Sequence, residues 1–189
     1  MKLTKLFALA AGLGLSCAAN AVVLTTSTGS NLVSNYSGAG LVSFDLALED
    51  FSGSTLNFVL EEADLGGPLS FNALVRNLAG ADLSRFTFSL RGISFTGAPG
   101  SVTPSFGTLG KVDTSPFAAG ISFARPEYAE FQFGDVLGGG QDWLLATSGL
   151  RAGDSFSITA TVPEPSSAAL VLPMLCMAGL MAARRRKQD

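Results

Sequence analysis

The sequence predicts an all-β domain, an antiparallel, jelly-roll-like β-sandwich of about eight strands, set between an N-terminal signal helix and a single C-terminal transmembrane helix. Three observations lead there. Between residues 41 and 162 apolar side chains recur with a period of two, Gly- and Pro-rich clusters punctuate them, and no long stretch has the spacing of an amphipathic helix.

The alternation runs in order along the chain. Val42, Phe44, Leu46 and Leu48 alternate with Ser43, Asp45, Ala47 and Glu49. Leu56, Phe58 and Leu60 repeat the pattern, followed by Leu69, Phe71, Ala73 and Val75, then Phe86, Phe88 and Leu90. Ala129, Phe131 and Phe133 come later, and Phe156, Ile158, Ala160 and Val162 close the series. Strict alternation means one buried and one wet face, the habit of antiparallel sheets. Turn signals fall between these runs at residues 38–40, 66–68, 97–100, 138–140 and 153–154.

Two places break the pattern. The apolar phase changes from even positions before Gly92 to odd ones after it (Ile93, Phe95), which predicts a β-bulge at Gly92 within one strand. Two separate strands joined there are the alternative. Residues 97–120, with Pro99, Pro104 and Pro116 among Gly, Ser and Thr, read as a long surface loop.

Residues 1–21 have the composition of a secretory signal peptide. Lys2 and Lys5 give a positive start, an apolar run over residues 6–15 follows, and Ala19-Asn20-Ala21 has the small-residue form that signal peptidase cleaves. Cleavage after Ala21 leaves Val22 as the mature N-terminus. No twin arginine is present in residues 1–21, so the Sec translocon is the expected route. The expected ectodomain, residues 22–162, contains no cysteine and must hold together by its core. It carries 13 acidic and 6 basic residues, a net −7 that argues against nucleic acid as a partner.

The C-terminal segment 163–189 has three parts in fixed order. Pro163-Glu164-Pro165 fixes φ on both sides of one glutamate and removes two backbone donors, which suits an accessible spacer. The uncharged run 166–183 is 18 residues long. At ~1.5 Å per residue it reaches about 27 Å, close to a hydrocarbon core, so it predicts a membrane span. Arg184, Arg185, Arg186 and Lys187 then form a cationic stop that stays cytoplasmic and places the preceding domain outside.

This ordered signal resembles the PEP-CTERM sorting signal of Gram-negative, exopolysaccharide-producing bacteria. The resemblance covers the C-terminal segment together with the signal peptide, and not the ectodomain. It implies processing near Pro163, Glu164 and Pro165 by an exosortase, a membrane-embedded transpeptidase-like enzyme, and transfer to the cell surface or extracellular matrix. A structural or adhesive role in an exopolysaccharide-associated layer follows by analogy with that family.

Little else in the chain points to chemistry. With no histidine, Ser-His-Asp and Cys-His arrangements and His-based metal sites are excluded. No phosphate-binding Gly motif occurs, no cofactor is indicated, and the expectation is that the protein is not an enzyme. The acidic groups Glu49-Asp50 and Glu61-Glu62-Asp64 read as solvated turns. A glycan-active enzyme would need two of them facing across a cleft. Asp135 and Asp142 flank a Gly-rich turn that faintly resembles one calcium-binding nonapeptide repeat. Trp143 and Tyr128 are possible sugar-stacking rings, although Trp143 sits in the alternation and is expected to be buried. A carbohydrate- or calcium-binding surface module is therefore the alternative function, and a secreted glycan-active enzyme the third.

Overall fold

The computed structural model describes residues 22–136 and 142–163. The expected signal helix 1–21, the Gly138–Gly140 turn, Glu164, Pro165, the span 166–183 and the cluster Arg184 to Lys187 lie outside the described residues. Among the described residues no helix is long and apolar enough to cross a membrane.

The strands in chain order are β1 (Val23–Thr28), β2 (Leu32–Asn35), β3 (Leu41–Leu48), β4 (Ser54–Val59), β5 (Leu69–Asn77), β6 (Leu83–Arg91) and β7 (Ser94–Thr96). They continue with β8 (Val102–Pro104), β9 (Thr108–Ser115), β10 (Ala118–Glu127), β11 (Glu130–Phe133), β12 (Leu144–Ala146) and β13 (Ser155–Thr161). One short 3-10 turn, Glu62–Gly66, joins β4 to β5. Among the described residues thirteen strands replace the expected eight or so, because several are only three or four residues long, too short for a run of alternation to mark each of them.

Two sheets form the layers. The six-stranded sheet has the order β1-β4-β13-β6-β10-β9, and every pair in it is antiparallel. The seven-stranded sheet runs β2-β3-β5-β11-β8, with β12 against both β5 and β7. Here β3 and β5 pair in parallel, from Leu41↔Ser70 to Leu48↔Asn77. That pairing departs from the wholly antiparallel neighbours of a jelly roll. It arises because β4, which intervenes in sequence, crosses to the other sheet.

The alternation is realised as read. Val42, Phe44, Leu46 and Leu48 are at most 1% exposed, and Leu56, Phe58, Leu69, Phe71, Ala73, Val75, Phe86 and Phe88 are fully buried. Rings from the two sheets meet across the interior. Phe88 of β6 lies edge-on to Phe71 of β5 at 5.2 Å and to Phe133 of β11 at 4.9 Å, while Phe86 meets Phe131 at 5.2 Å. Nine of the chain's fourteen phenylalanines lie in this core, which in a cysteine-free domain makes aromatic burial the main source of cohesion.

Both irregular places differ from expectation. Gly92 is not a bulge. The chain leaves the six-stranded sheet after Arg91 and enters the seven-stranded one at Ser94, where β7 pairs with β12. Even and odd apolar positions then face the same interior from opposite sheets, which explains the change of phase. Gly92 has φ +80°, and a Cβ there would lie 2.9 Å from the Ser155 carbonyl, so the corner requires glycine. Residues 97–120 are not a loop either, since they contain β8, β9 and the start of β10. β9 lies at the edge of its sheet with most side chains exposed, so no buried face imprints alternation on it. Pro104 is tolerated because β8 is also an edge strand.

Candidate functional site

The exit toward the C-terminus is the first place of interest. β13 lies between β4 and β6, and its ladder runs to Thr161↔Thr87. Val162 is still 8% exposed, whereas Pro163 is exposed. No linker separates the core from the tripeptide. Beside this exit lies a corner made from the β1–β2 and β3–β4 connections. Asn31, itself buried, donates to the Ser52 carbonyl (3.1 Å) and Ser54 Oγ (3.0 Å), and accepts from the amides of Glu49 (2.9 Å) and Asp50 (3.2 Å). Asp50 accepts from the Ser52 hydroxyl, from Ser30 Oγ at 2.7 Å and from the Ser52 amide at 2.8 Å. Those bonds hold its carboxyl below the usual range. Asp64 differs from the solvated turn acid expected. It is 1% exposed and accepts from the amides of Gly40 (3.0 Å) and Glu61 (2.9 Å).

The second place gathers Asp135, Asp142 and Trp143. β11 and β12 lie on the same side of β5, with Phe133↔Ala73 and Leu144↔Ser70 as adjoining pairs, so the chain between them leaves the ladder opposite Phe71 and Asn72. The Phe71 amide donates to the Trp143 carbonyl at 2.8 Å, which marks the return. Asn72 points to the outer face of β5 yet is only 6% exposed, and its Nδ2 donates to the Asp135 carbonyl at 3.5 Å. Asp142 Oδ2 accepts from the Ser101 amide (2.8 Å) and the Ser101 hydroxyl. Burial raises the Asp142 pKa, but the Ser101 hydroxyl and the amides of Ser101, Asp135 and Trp143 outweigh it and hold the carboxyl below its usual range. Asp142 Oδ1 and Asn72 Oδ1 are buried without a hydrogen-bond partner. Trp143 is 2% exposed, stacks on Phe133 at 4.2 Å and donates from Nε1 to the Ser101 carbonyl at 2.9 Å, so it presents no face to a sugar.

A third feature was not legible in the sequence. Glu127, fully buried, accepts from four amides. Oε2 takes Phe106 (2.9 Å) and Gly107 (2.8 Å), and Oε1 takes Tyr128 and Ala129 (both 2.9 Å). Its own burial raises its pKa, but these amides win and hold it below 4.5. The clamp fixes two neighbouring turns and displays Phe106 and Tyr128 as a stacked pair, 5.0 Å apart, each more than half exposed.

The fold and exit together describe an all-β body that delivers a Pro-Glu-Pro tail at the end of a central strand. Residues 161–187 match the family model of the PEP-CTERM protein-sorting motif, so the chain carries an exosortase-directed sorting signal of exported surface proteins. No curated protein and no solved structure matches the chain.

Proposed function

We propose that this protein is secreted through the Sec translocon, held in the inner membrane by residues 166–183 with Arg184, Arg185, Arg186 and Lys187 on the cytoplasmic side, and processed at Pro163, Glu164 and Pro165. It then acts at the cell surface or in the extracellular matrix as a structural or adhesive element of an exopolysaccharide-associated layer. The match to the sorting motif at residues 161–187 carries this reading.

The fold adds a geometric condition. Only three residues stand between Val162, inside the sandwich, and Ser166, where the uncharged run begins. Fully extended they reach about 10 Å. The corner of Asn31, Asp50 and Ser52 therefore faces the bilayer before processing, and a cut with the domain folded falls at or after Pro163. The exposed Phe106–Tyr128 pair supports an adhesive role, because stacked rings on a rigid mount offer a flat apolar face at little entropic cost.

Replacing Arg184, Arg185, Arg186 and Lys187 together with Gln tests the reading. Loss of the cationic stop should leave unprocessed chain accumulating and lower the surface-displayed fraction by well over tenfold, since four cations at the membrane face are together worth roughly 4 kcal/mol. Processing and display identical to the wild type would count against it.

A further inference from the structure

A strand at the edge of a sheet presents main-chain groups that need either a partner or a device that keeps other chains away. At the other edges of this sandwich the device is plain. β9 sets Lys111 and Asp113 in solvent, β8 carries Pro104, β1 has a bulge between Leu24 and Thr26, and on β7 the Phe95 amide donates to the Pro116 carbonyl at 2.8 Å. β2 has none of these. It pairs with β3 in unbroken antiparallel register from Leu32↔Ala47 to Asn35↔Phe44, and the Tyr36 amide continues the ladder by donating to the Ser43 carbonyl at 2.8 Å. Among the described residues no strand lies on its outer side.

Antiparallel pairing turns the main chain of successive residues to opposite sides of the strand. Because Tyr36 faces β3, so do Ser34 and Leu32, and the N–H and C=O groups of Val33 and Asn35 point outward. The Ser37 amide is taken by Asn35 Oδ1 at 3.2 Å, which ends the open edge. Side chains alternate between faces as well. Val33 packs against the core, while Leu32 and Tyr36 stand on the outer face, 60% and 61% exposed. No charge occurs in residues 22–44, so β2 and the neighbouring edge of β1, joined to it by residues 29–31, are both neutral. The first charge, Asp45, lies opposite Ser34 and is paired with Arg76 at 3.0 Å.

We propose that β2 is the contact between two copies of this chain, which join edge to edge about a two-fold axis at Ser34. The register is self-complementary. Val33 of one copy lies opposite Asn35 of the other, and the reverse, so the outward N–H and C=O groups meet as hydrogen-bonded pairs. Leu32 of each copy lies opposite Tyr36 of the other on the same face, which buries the two large apolar side chains that a single chain leaves in water. An unrelated strand would fill the main-chain groups, whereas a copy supplies the matching leucine and tyrosine by symmetry. A net charge of −7 opposes self-association of the domain, and the uncharged side is where two such bodies approach at least cost. The two Asp45 side chains are three strand spacings apart, about 14 Å, beyond the screening length of about 8 Å. With so short an edge buried, the dimer belongs to the weak, concentration-dependent class. The inference is independent of the sorting signal.

Cysteine cross-linking reads this register directly. Cys17→Ser and Cys176→Ser remove both native thiols from the full chain, which is held in detergent micelles at ~100 µM, a concentration suited to a weak dimer, and oxidised with diamide. Ser34→Cys sits on the axis, where opposed Cα atoms of a non-hydrogen-bonded pair are about 4.5 Å apart, within the reach of a disulfide, so it should link to its copy. Leu32→Cys alone and Tyr36→Cys alone should not link, yet a mixture of the two proteins should. Thr114→Cys, exposed on β9, measures random collision. In the Ser34→Cys chain, Leu32→Lys with Tyr36→Lys sets like charges opposite each other twice and should cut the linked fraction by about tenfold. Leu32→Lys with Tyr36→Glu should restore it, a recovery that misfolding cannot mimic. The proposal is overturned if Ser34→Cys links no faster than Thr114→Cys, if Leu32→Cys and Tyr36→Cys each link alone as readily as when mixed, or if the lysine pair changes nothing.

Discussion

Glu127 and Asp142 occupy comparable positions and have opposite fates. Each is a carboxylate at the junction of two connections beside the β8–β11 edge, and each is held below its usual pKa against the effect of burial, Glu127 by backbone amides and Asp142 by the Ser101 hydroxyl together with backbone amides. Both oxygens of Glu127 are filled by four amides. Asp142 fills Oδ2 with the Ser101 amide and hydroxyl, and the amides of Asp135 and Trp143 also favour its charged form, while Oδ1 is buried without a hydrogen bond. A carboxylate with both oxygens filled staples two connections together symmetrically. One held chiefly through a single oxygen staples less tightly, and the difference is readable only from the hydrogen-bond partners.

The comparison breaks first at Glu127. Glu127→Ala strands four amides in a buried junction and should lower stability by about 3–5 kcal/mol. Chemical denaturation would show it, and a loss under about 1 kcal/mol would mean that water replaces the carboxylate freely. The pH dependence follows from the direction of the shifts. Because the folded-state pKa values of Glu127 and Asp142 are depressed, both contribute stability above their ordinary values of 4.5 and 3.8, and lose it as pH falls through the folded values. The unfolding midpoint should therefore drop below about pH 4.5, and Glu127→Gln should flatten that drop as well as lowering the neutral-pH plateau.

Asp142→Asn comes next. The amide oxygen can still accept from Ser101, so the loss at neutral pH should be about 1 kcal/mol. Because the folded-state pKa of Asp142 is depressed, the gap to the wild type should close as pH falls through that value, and a gap independent of pH would erase the distinction between the two carboxylates. The smallest expected change in stability is for Phe106→Ala combined with Tyr128→Ala, within about 0.5 kcal/mol for each surface site. Retention in a polysaccharide matrix should nonetheless fall, and unaltered retention would remove this ring pair from the adhesive role.

What the sequence disclosed tracks where a single strand carries the information. Val42 to Leu48 and Phe156 to Val162 each bury one face against one sheet, so the pattern appears in consecutive residues. The sorting signal is linear and equally legible. β9 was hidden because an edge strand with Lys111 and Asp113 in solvent has no buried face to mark it. Gly92 gave the right anomaly but the wrong geometry, since one strand with a bulge and two strands in facing sheets produce the same change of phase. Asn72 and Glu127 could not be found at all. Asn72 donates to the carbonyl of Asp135, more than sixty positions later, and Glu127 receives two of its donors from Phe106 and Gly107. Asp135 and Asp142 drew notice by their spacing across Gly-rich chain, but the contacts that hold Asp142, to the Ser101 amide and hydroxyl, come from a residue 41 positions away that the spacing does not reveal.

The delivery of a finished sheet body to the outside is tested most directly by the intact mass of the protein recovered from the cell surface. The account predicts a chain that begins at Val22, ends at or after Pro163 and lacks the Arg184 to Lys187 cluster. A chain that still carries Asp189, or one that ends before Val162 inside β13, would contradict it.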